Sequence, residues 1–538
     1  MDSVAKPFVE GKRPAQVPLR VGVLLDRERD LENWQLRIID RILEDSRFSL
    51  SAVLVYPSSA ECAHTPTVLR VAAWLERKTI ARQPIYQPKH FSLPDLPFEQ
   101  ASLITETGHR DSLKLDLMLC LSPGTLPETA LARLRFGEWR FSFLQNVSGG
   151  ADWFGYAGVI EEVPATQMRI EIRQAGIAHA CDLATAAFNT KFSAIRNADF
   201  IKERAVTLVM RELRRVADTR QLGAIHASQT TATTSEPPTV RQLYSYGASL
   251  VRKLFARGAQ AAQMKIGGGA DVWGLYVGKG YPEDFDPHKA VLIEPDEHEI
   301  RADPFLIEHE GQLFLFYEAY APSDTKAHIA VSRLVGNRLE RLGIALECDH
   351  HLSYPFIFRH DDQLFMIPEA HQARRLEVWR CVDFPLGWEL YSTGLEGFAP
   401  ADSALTHFDG KWWLFTNLSD FHAYEDHCSE LHVFEVDGPE LKRIVPHKNN
   451  PVVIDSTVAR NGGRPFEHEG KLYRPSQRNE HGIYGYALNI MEVEHLDLET
   501  YRERCVRTIT PDFGPGQVAC HHLDAAAGRF VIDVMFEG

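Results

Sequence analysis

The chain has 538 residues, 44% of them hydrophobic, with 73 acidic against 58 basic side chains and a net charge of −15. That length exceeds what one core usually fills, so two or more domains are expected. The acidic balance excludes a protein that wraps nucleic acid with its bulk surface.

The opening stretch "MDSVAKPFVEGKRPAQVPLR" lacks the apolar segment of a secretory leader, and no run of 18 apolar residues follows anywhere. Eight cysteines lie scattered, without C-x-x-C spacing, so neither a zinc site nor a disulfide framework is expected and no metal is assigned. The cytoplasm is the expected compartment, with the inner membrane face as a further place of association.

"LRVGVLLD" from Leu19 reads as a buried strand, the following helix carries Leu31, Trp34, Ile38 and Ile42 on one face, and "LSAVLVYP" is a second strand. Continued by "LKLDLMLCLSPG" and "WRFSFLQ", this order predicts a mainly parallel sheet over residues 18–217. Residues 218–269 read as a linker. Its first part, "HASQTTATTSEPPT", has too little apolar surface to offset its ordering entropy. Its second part carries Arg241, Arg252, Lys253, Arg257 and Lys265 and no acidic residue. Such a helix over 241–265 is either solvated and packed on its neighbours or a peripheral contact with an anionic membrane or phosphate-bearing substrate.

From about residue 270 the chain repeats itself. "DPFLIEHEGQLFLFYE", "YPFIFRHDDQLFMIPE", "DSALTHFDGKWWLFTN", "GRPFEHEGKLYRPSQ" and "CHHLDAAAGRFVIDVM" stack without gaps, and Gly311, Asp362, Gly410, Gly470 and Gly528 share one turn column. Spacings of 51, 48, 60 and 58 residues with several short strands per unit predict a five-bladed all-β propeller over 270–538.

In a propeller, equivalent columns converge on the axis. Eight places before each turn stand Asp303, Tyr354, Asp402, Gly462 and Cys520; seven places after stand Glu318, Glu369, Asn417, Gln477 and Met535. Core packing does not select charges at such positions, because burying them is costly unless they are paired or functional. Asp before Pro also caps turns, so Asp303 alone decides little; the set, with Arg460, Arg464, Arg474, Arg478, His351, His521 and His522 near the same rim, predicts a polar binding site.

Asp303, Glu369 and Asp402 could supply the carboxylates that glycosyl transfer or hydrolysis needs around an oxocarbenium-like transition state. Tyr354, Tyr484 and other interleaved aromatics suit sugar faces. Guanidinium groups grip phosphate, and Arg464 and Arg478 are the expected clamp for a nucleotide-sugar donor, with no other cofactor required. Of the neighbours His521 and His522, strand alternation predicts that one faces away from the axis.

The stretches "ADPFLIEHEGQLFLFYEAY", "HHLSYPFIFRHDDQLFMIPEA", "ADSALTHFDGKWWLF" and "GGRPFEHEGKLYRPSQRNEHGIYGY" resemble the amino-terminal domain of plant glucosamine inositolphosphorylceramide transferases, a propeller related to glycoside hydrolase families 43 and 32. The resemblance implies a carbohydrate-active module and matches Asp303 to the first-blade aspartate that serves as base or nucleophile. Residues 18–217 resemble a Rossmann-like α/β formyltransferase domain through "DLMLCLSPGTLP", "FGEWRFSF" and "WFGYAGVIEEVPATQMRIEI". Cys120 stands where that family's Asn would lie, and Leu144 or Gln145 where its His would follow, so formyl transfer loses its general base. The expected function is glycosyl transfer to a cell-surface glycan or glycolipid at the propeller mouth. The alternatives are a propeller-type glycoside hydrolase and a non-catalytic sugar-binding scaffold.

Overall fold

The computed structural model describes residues 17–26, 31–56, 67–83, 102–105, 114–145, 154–227, 238–265, 272–294, 296, 299–321, 324–419 and 426–537. Two compact units divide near residue 253, within the helix Val240–Lys265. The first part of the linker, at 228–237, lies outside the described residues.

The first unit is built on an eight-stranded sheet. Ser102–Thr105, Phe48–Tyr56, Leu19–Asp26, Leu117–Cys120 and Glu138–Phe141 run parallel in that spatial order. Ala165–Arg173, Cys181–Asn189 and His226–Ala227 extend it antiparallel, so the sheet is mixed rather than mainly parallel. The helix Asn33–Glu44 buries Trp34, Ile38 and Ile42 as its periodicity requires, and its start is fixed by the Glu32 N–H donating to Gln35 Oε1 at 2.7 Å.

The second unit contains five antiparallel sheets. Blades one to four take their strands in chain order from Ile300–Leu346, Ser353–Gly394, Ala401–Pro446 and Phe466–Ile509. Blade five joins both ends of the ring: Arg529–Phe536 pairs on one edge with Leu523–Ala526 and Gln517–Ala519, and on the other with Val272–Lys279, whose outer neighbour is Val291–Leu292.

Each blade's first hairpin closes through a two-residue turn in which both central residues have positive φ. The pairs are Glu310–Gly311, Asp361–Asp362, Asp409–Gly410, Glu469–Gly470 and Ala527–Gly528, with second-position φ of 71°, 59°, 72°, 73° and 69°. This is the type I′ geometry that matches strand twist, and it explains the Gly or Asp column of the repeat. Aromatic and branched side chains from successive blades fill the space between sheets, among them Phe305, Phe316, Tyr354, Phe356, Phe365, Leu405, Leu414 and Phe434.

Candidate functional site at the propeller axis

The innermost strands of blades one to three begin with the same defect. Asp303, Tyr354 and Asp402 have φ of 50°, 45° and 44°, and each sits where strand register slips, between Ala302 and Phe305, Ser353 and Phe356, and Ala401 and Ala404. A left-handed non-glycine residue costs about 1 kcal/mol or more, and a bulge re-aims its side chain. Three such residues in one column turn their side chains toward a shared centre.

Asp303 and Asp402 are buried, as is Glu369 at the end of the second strand of blade two. Around Asp303, the Tyr354 N–H donates to its carboxylate at 3.2 Å, and His521 Nε2 and His522 Nδ1 each lie 3.5 Å from Oδ1. Asp533 lies behind them. It accepts from the backbone N–H groups of Asp303 (3.1 Å), His521 (3.1 Å) and His522 (2.8 Å) and pairs with His521 Nδ1 at 2.8 Å. The expectation that His521 and His522 face apart is therefore corrected: they fall in the gap between Gln517–Ala519 and Leu523–Ala526, where strand alternation does not hold.

Arg460 links the other two acids. Its Nε and Nη2 donate to Asp402 at 2.6 and 3.2 Å, and Nη2 reaches Glu369 at 3.3 Å. Glu369 also accepts from the Asp402 N–H at 3.3 Å and pairs with His371 Nδ1 at 2.9 Å, while Gln477 Nε2 donates to Asp402 at 3.2 Å. The Tyr484 ring lies 5.1 Å from the Arg460 guanidinium and 5.3 Å from His521, and it is 41% exposed, so it joins the buried cluster to solvent. Trp273 also lies against His521, with ring centres 4.2 Å apart. Glu318 pairs with His351 Nε2 at 3.3 Å. The Tyr354 hydroxyl donates to the Gly463 carbonyl at 3.0 Å, tying blade two to blade four.

The electrostatics separate the acids. Burial, reinforced by Glu318, Asp533 and Glu369 against the opposing His521, pushes Asp303 up to about 7. Burial also pushes Asp402 up, against the pull of Arg460. For Glu369 burial is outweighed by the hydrogen bond from His371 and the charge of Arg460, which hold it low. Burial opposes charge on both histidines, yet Asp533 lifts His521 to about 9, while His522 falls to about 3. An ionised acid, a neutral or half-protonated one and an imidazolium are thus held in one cluster, the arrangement that proton transfer needs.

The structure gives three of the expected arginines other places. Arg464 is held by Asp524 at 2.9 Å and the carbonyls of Ile357 and Leu306, beside the rings of Phe305 and Phe356. Arg474 is buried, paired with Glu503 at 2.7 Å and donating to the Val458 and Ala459 carbonyls. Arg478 pairs with Glu480 at 2.8 Å. The buried Arg474 and largely buried Arg464 are committed to protein acceptors because a charge at their depth requires them, whereas the half-buried Arg478 holds a neighbouring acid.

Among the described residues Asp303, His521 and Asp533 have metal-ligating composition, with ligand atoms within 4.8 Å of one another. An imidazolium cannot ligate, so a cation there would first have to displace one of the two ring protons of His521.

Sequence reading passed over Asp533, Asp524, His371 and Trp273. For the first two a signal exists. Five places after each turn stand Phe316, Ile367, Phe415, Pro475 and Asp533, and four places before stand Ile307, Phe358, Thr406, Phe466 and Asp524. A single carboxylate in an otherwise uncharged column marks a buried counter-ion.

These features define a five-bladed β-propeller whose axis holds a buried network of acids, histidines and one shared arginine. Residues 295–525 match the family model described as "Glucosamine inositolphosphorylceramide transferase 1, N-terminal", in accord with the resemblance read from the repeat. The protein of that name from Oryza sativa subsp. japonica is 37% identical over 242 residues, covering 43% of this chain and 32% of the relative. Its Arabidopsis thaliana counterpart is 35% identical over 207 residues, 38% of this chain and 26% of the relative. The chain thus spans about a third or less of the length of these curated relatives. Similar solved structures include a family 117 glycoside hydrolase of Zobellia galactanivorans, with a TM-score of 0.33 and 11% identity over 49% of this chain and 91% of that one. A thermostable family-43 glycoside hydrolase gives 0.34 and 16% over 44% and 88%.

In the first unit Cys120 ends its strand fully buried, and burial pushes its thiol well up, so it is no nucleophile. Leu144 is buried, and the Gln145 side chain lies outside the described residues.

Proposed function

We propose that this protein is a glycosyltransferase acting on a glycolipid, with its active site at the Asp303–Asp402–Glu369 cluster. The observation that carries the reading is that Glu369 and Asp402, from two blades, meet on Arg460, while Asp303, from a third, is buried close enough to feel their charge. Asp303, titrating near the working pH, is the base that takes the acceptor hydroxyl proton; Arg460 neutralises Asp402 and Glu369, and Tyr484 offers its ring to a sugar face. The family match supports transfer to a phosphate-bearing lipid, and a nucleotide-sugar is the donor this chemistry requires. The first unit serves as a formyltransferase-like domain used for binding or positioning.

A second reading, sugar hydrolysis, is favoured by one observation: Arg464, Arg474 and Arg478 are engaged internally, leaving Arg460 as the guanidinium of the cluster. Incubation with a panel of nucleotide-sugars, with and without an inositol phospholipid, and separately with a panel of glycosides, decides between them. Acceptor-dependent nucleotide release that falls at least about a hundredfold in Asp303→Asn supports transfer. Release of free sugar from glycosides alone supports hydrolysis, and release unaffected by the substitution removes Asp303 from the mechanism.

A further inference from the structure

The helix Val240–Lys265 has two apolar faces, and the fold uses one of them. Leu243, Tyr246 and Leu250 pack against Leu69, Tyr156, Val159 and Ala194, with the Tyr246 hydroxyl accepting from the Ala194 N–H at 2.9 Å. At about 100° per residue, Val240, Tyr244, Val251 and Phe255 fall within about 60° of one another, on a stripe centred about 120° around the helix from the packed one. Their exposures are 70%, 81%, 52% and 76%. Arg241 and Arg252, both exposed, stand one step around the helix along the flank of this stripe.

We propose that this outward face lies on an anionic lipid surface, aromatic side chains in the headgroup boundary and arginines on the lipid phosphates. A helix exposed only to water gains nothing from an apolar stripe containing Tyr and Phe. The segment 240–265 carries five basic residues and no acid within a chain of net charge −15; Lys253 lies 3.9 Å from Glu162, so the cations flanking the stripe are Arg241 and Arg252. Aromatic rings beside arginines suit the membrane interface, where ring bodies bury and charged heads meet phosphate. No helix among the described residues is long and apolar enough to cross a membrane, so the contact made by this helix is one of lying on the surface. The proposal rests on the helix alone and stands whether or not the propeller transfers sugar.

Sedimentation of the full chain with phosphatidylcholine vesicles, with and without phosphatidylserine, tests it. The protein is expected to pellet with the anionic vesicles and to be released by high salt. Arg241→Glu with Arg252→Glu, and separately Tyr244→Ser with Phe255→Ser, each lower the bound fraction by about tenfold or more while circular dichroism stays unchanged. In Phe255→Trp the indole emission shifts to the blue on anionic vesicles. Wild type that remains in the supernatant, or pellets equally with all variants, overturns the proposal. So does concentration-dependent self-association that Tyr244→Ser with Phe255→Ser abolishes, which assigns the stripe to a second copy of the chain.

Discussion

Replacing Asp303 by Asn should make the protein more stable at pH 8 than the wild type, while removing the proposed base. In the folded state burial raises this carboxyl from 3.8 to about 7. Between about pH 4 and 7 the folded protein therefore keeps a proton that the unfolded chain has released. The stability from this group is present in acid and is lost as pH rises through the folded value. A rise from 3.8 to about 7 corresponds to about 4 kcal/mol as an upper bound. The pull of His521, 3.5 Å away, is already contained in that value; relaxation of the site and water penetration around the charge leave about half, ~2 kcal/mol. Asn keeps an acceptor for the Tyr354 N–H and adds no volume. Thermal unfolding followed by circular dichroism should show the two proteins closest at about pH 4 or below, and the variant's advantage growing with pH to about 4–8 °C at pH 8. Parallel melting curves across that range, or a variant less stable at pH 8, would refute the claim that Asp303 is held against its charge.

Arg460→Met leaves Asp402 and Glu369 buried without their shared cation. Urea unfolding at pH 7 should show a loss of about 3–5 kcal/mol, shrinking as the pH falls and the acids take up protons. Gly463 has φ of 147°, and a Cβ there would meet the Leu523 carbonyl oxygen at 1.9 Å. Gly463→Ala should accordingly lower the melting temperature of the propeller, whereas Gly410→Ala, with open space around it and only a backbone penalty, costs about 1 kcal/mol.

The propeller was readable from sequence because its turns are chemically demanding. A type I′ turn needs φ above zero at both central residues, which confines the second to Gly and the few residues that tolerate it, and so writes a column into the repeat. The convergence of Asp303, Glu369 and Asp402 followed from that column. The partners did not, because pairing depends on which blades face across the axis. Arg460 and Arg474 stand fourteen positions apart in one arginine-rich stretch, yet one crosses to blades two and three while the other turns back to Glu503 within blade four. In the first unit, apolar runs marked strands of the parallel half, while the hairpin of Ala165–Arg173 and Cys181–Asn189 that makes the sheet mixed went unread.

The fifth sheet has a temporal consequence. Its strand Arg529–Phe536 is also the partner that receives Val272–Lys279, made more than two hundred and fifty residues earlier. A growing polypeptide can complete four sheets as they emerge from the ribosome, but the circle stays open until the last of these residues has left the exit tunnel. His521 and Asp533 arrive with it, so a nascent or prematurely terminated product bears the early acids without the imidazole and counter-charge that set their protonation. Ring closure and maturation of the axial cluster are then a single event.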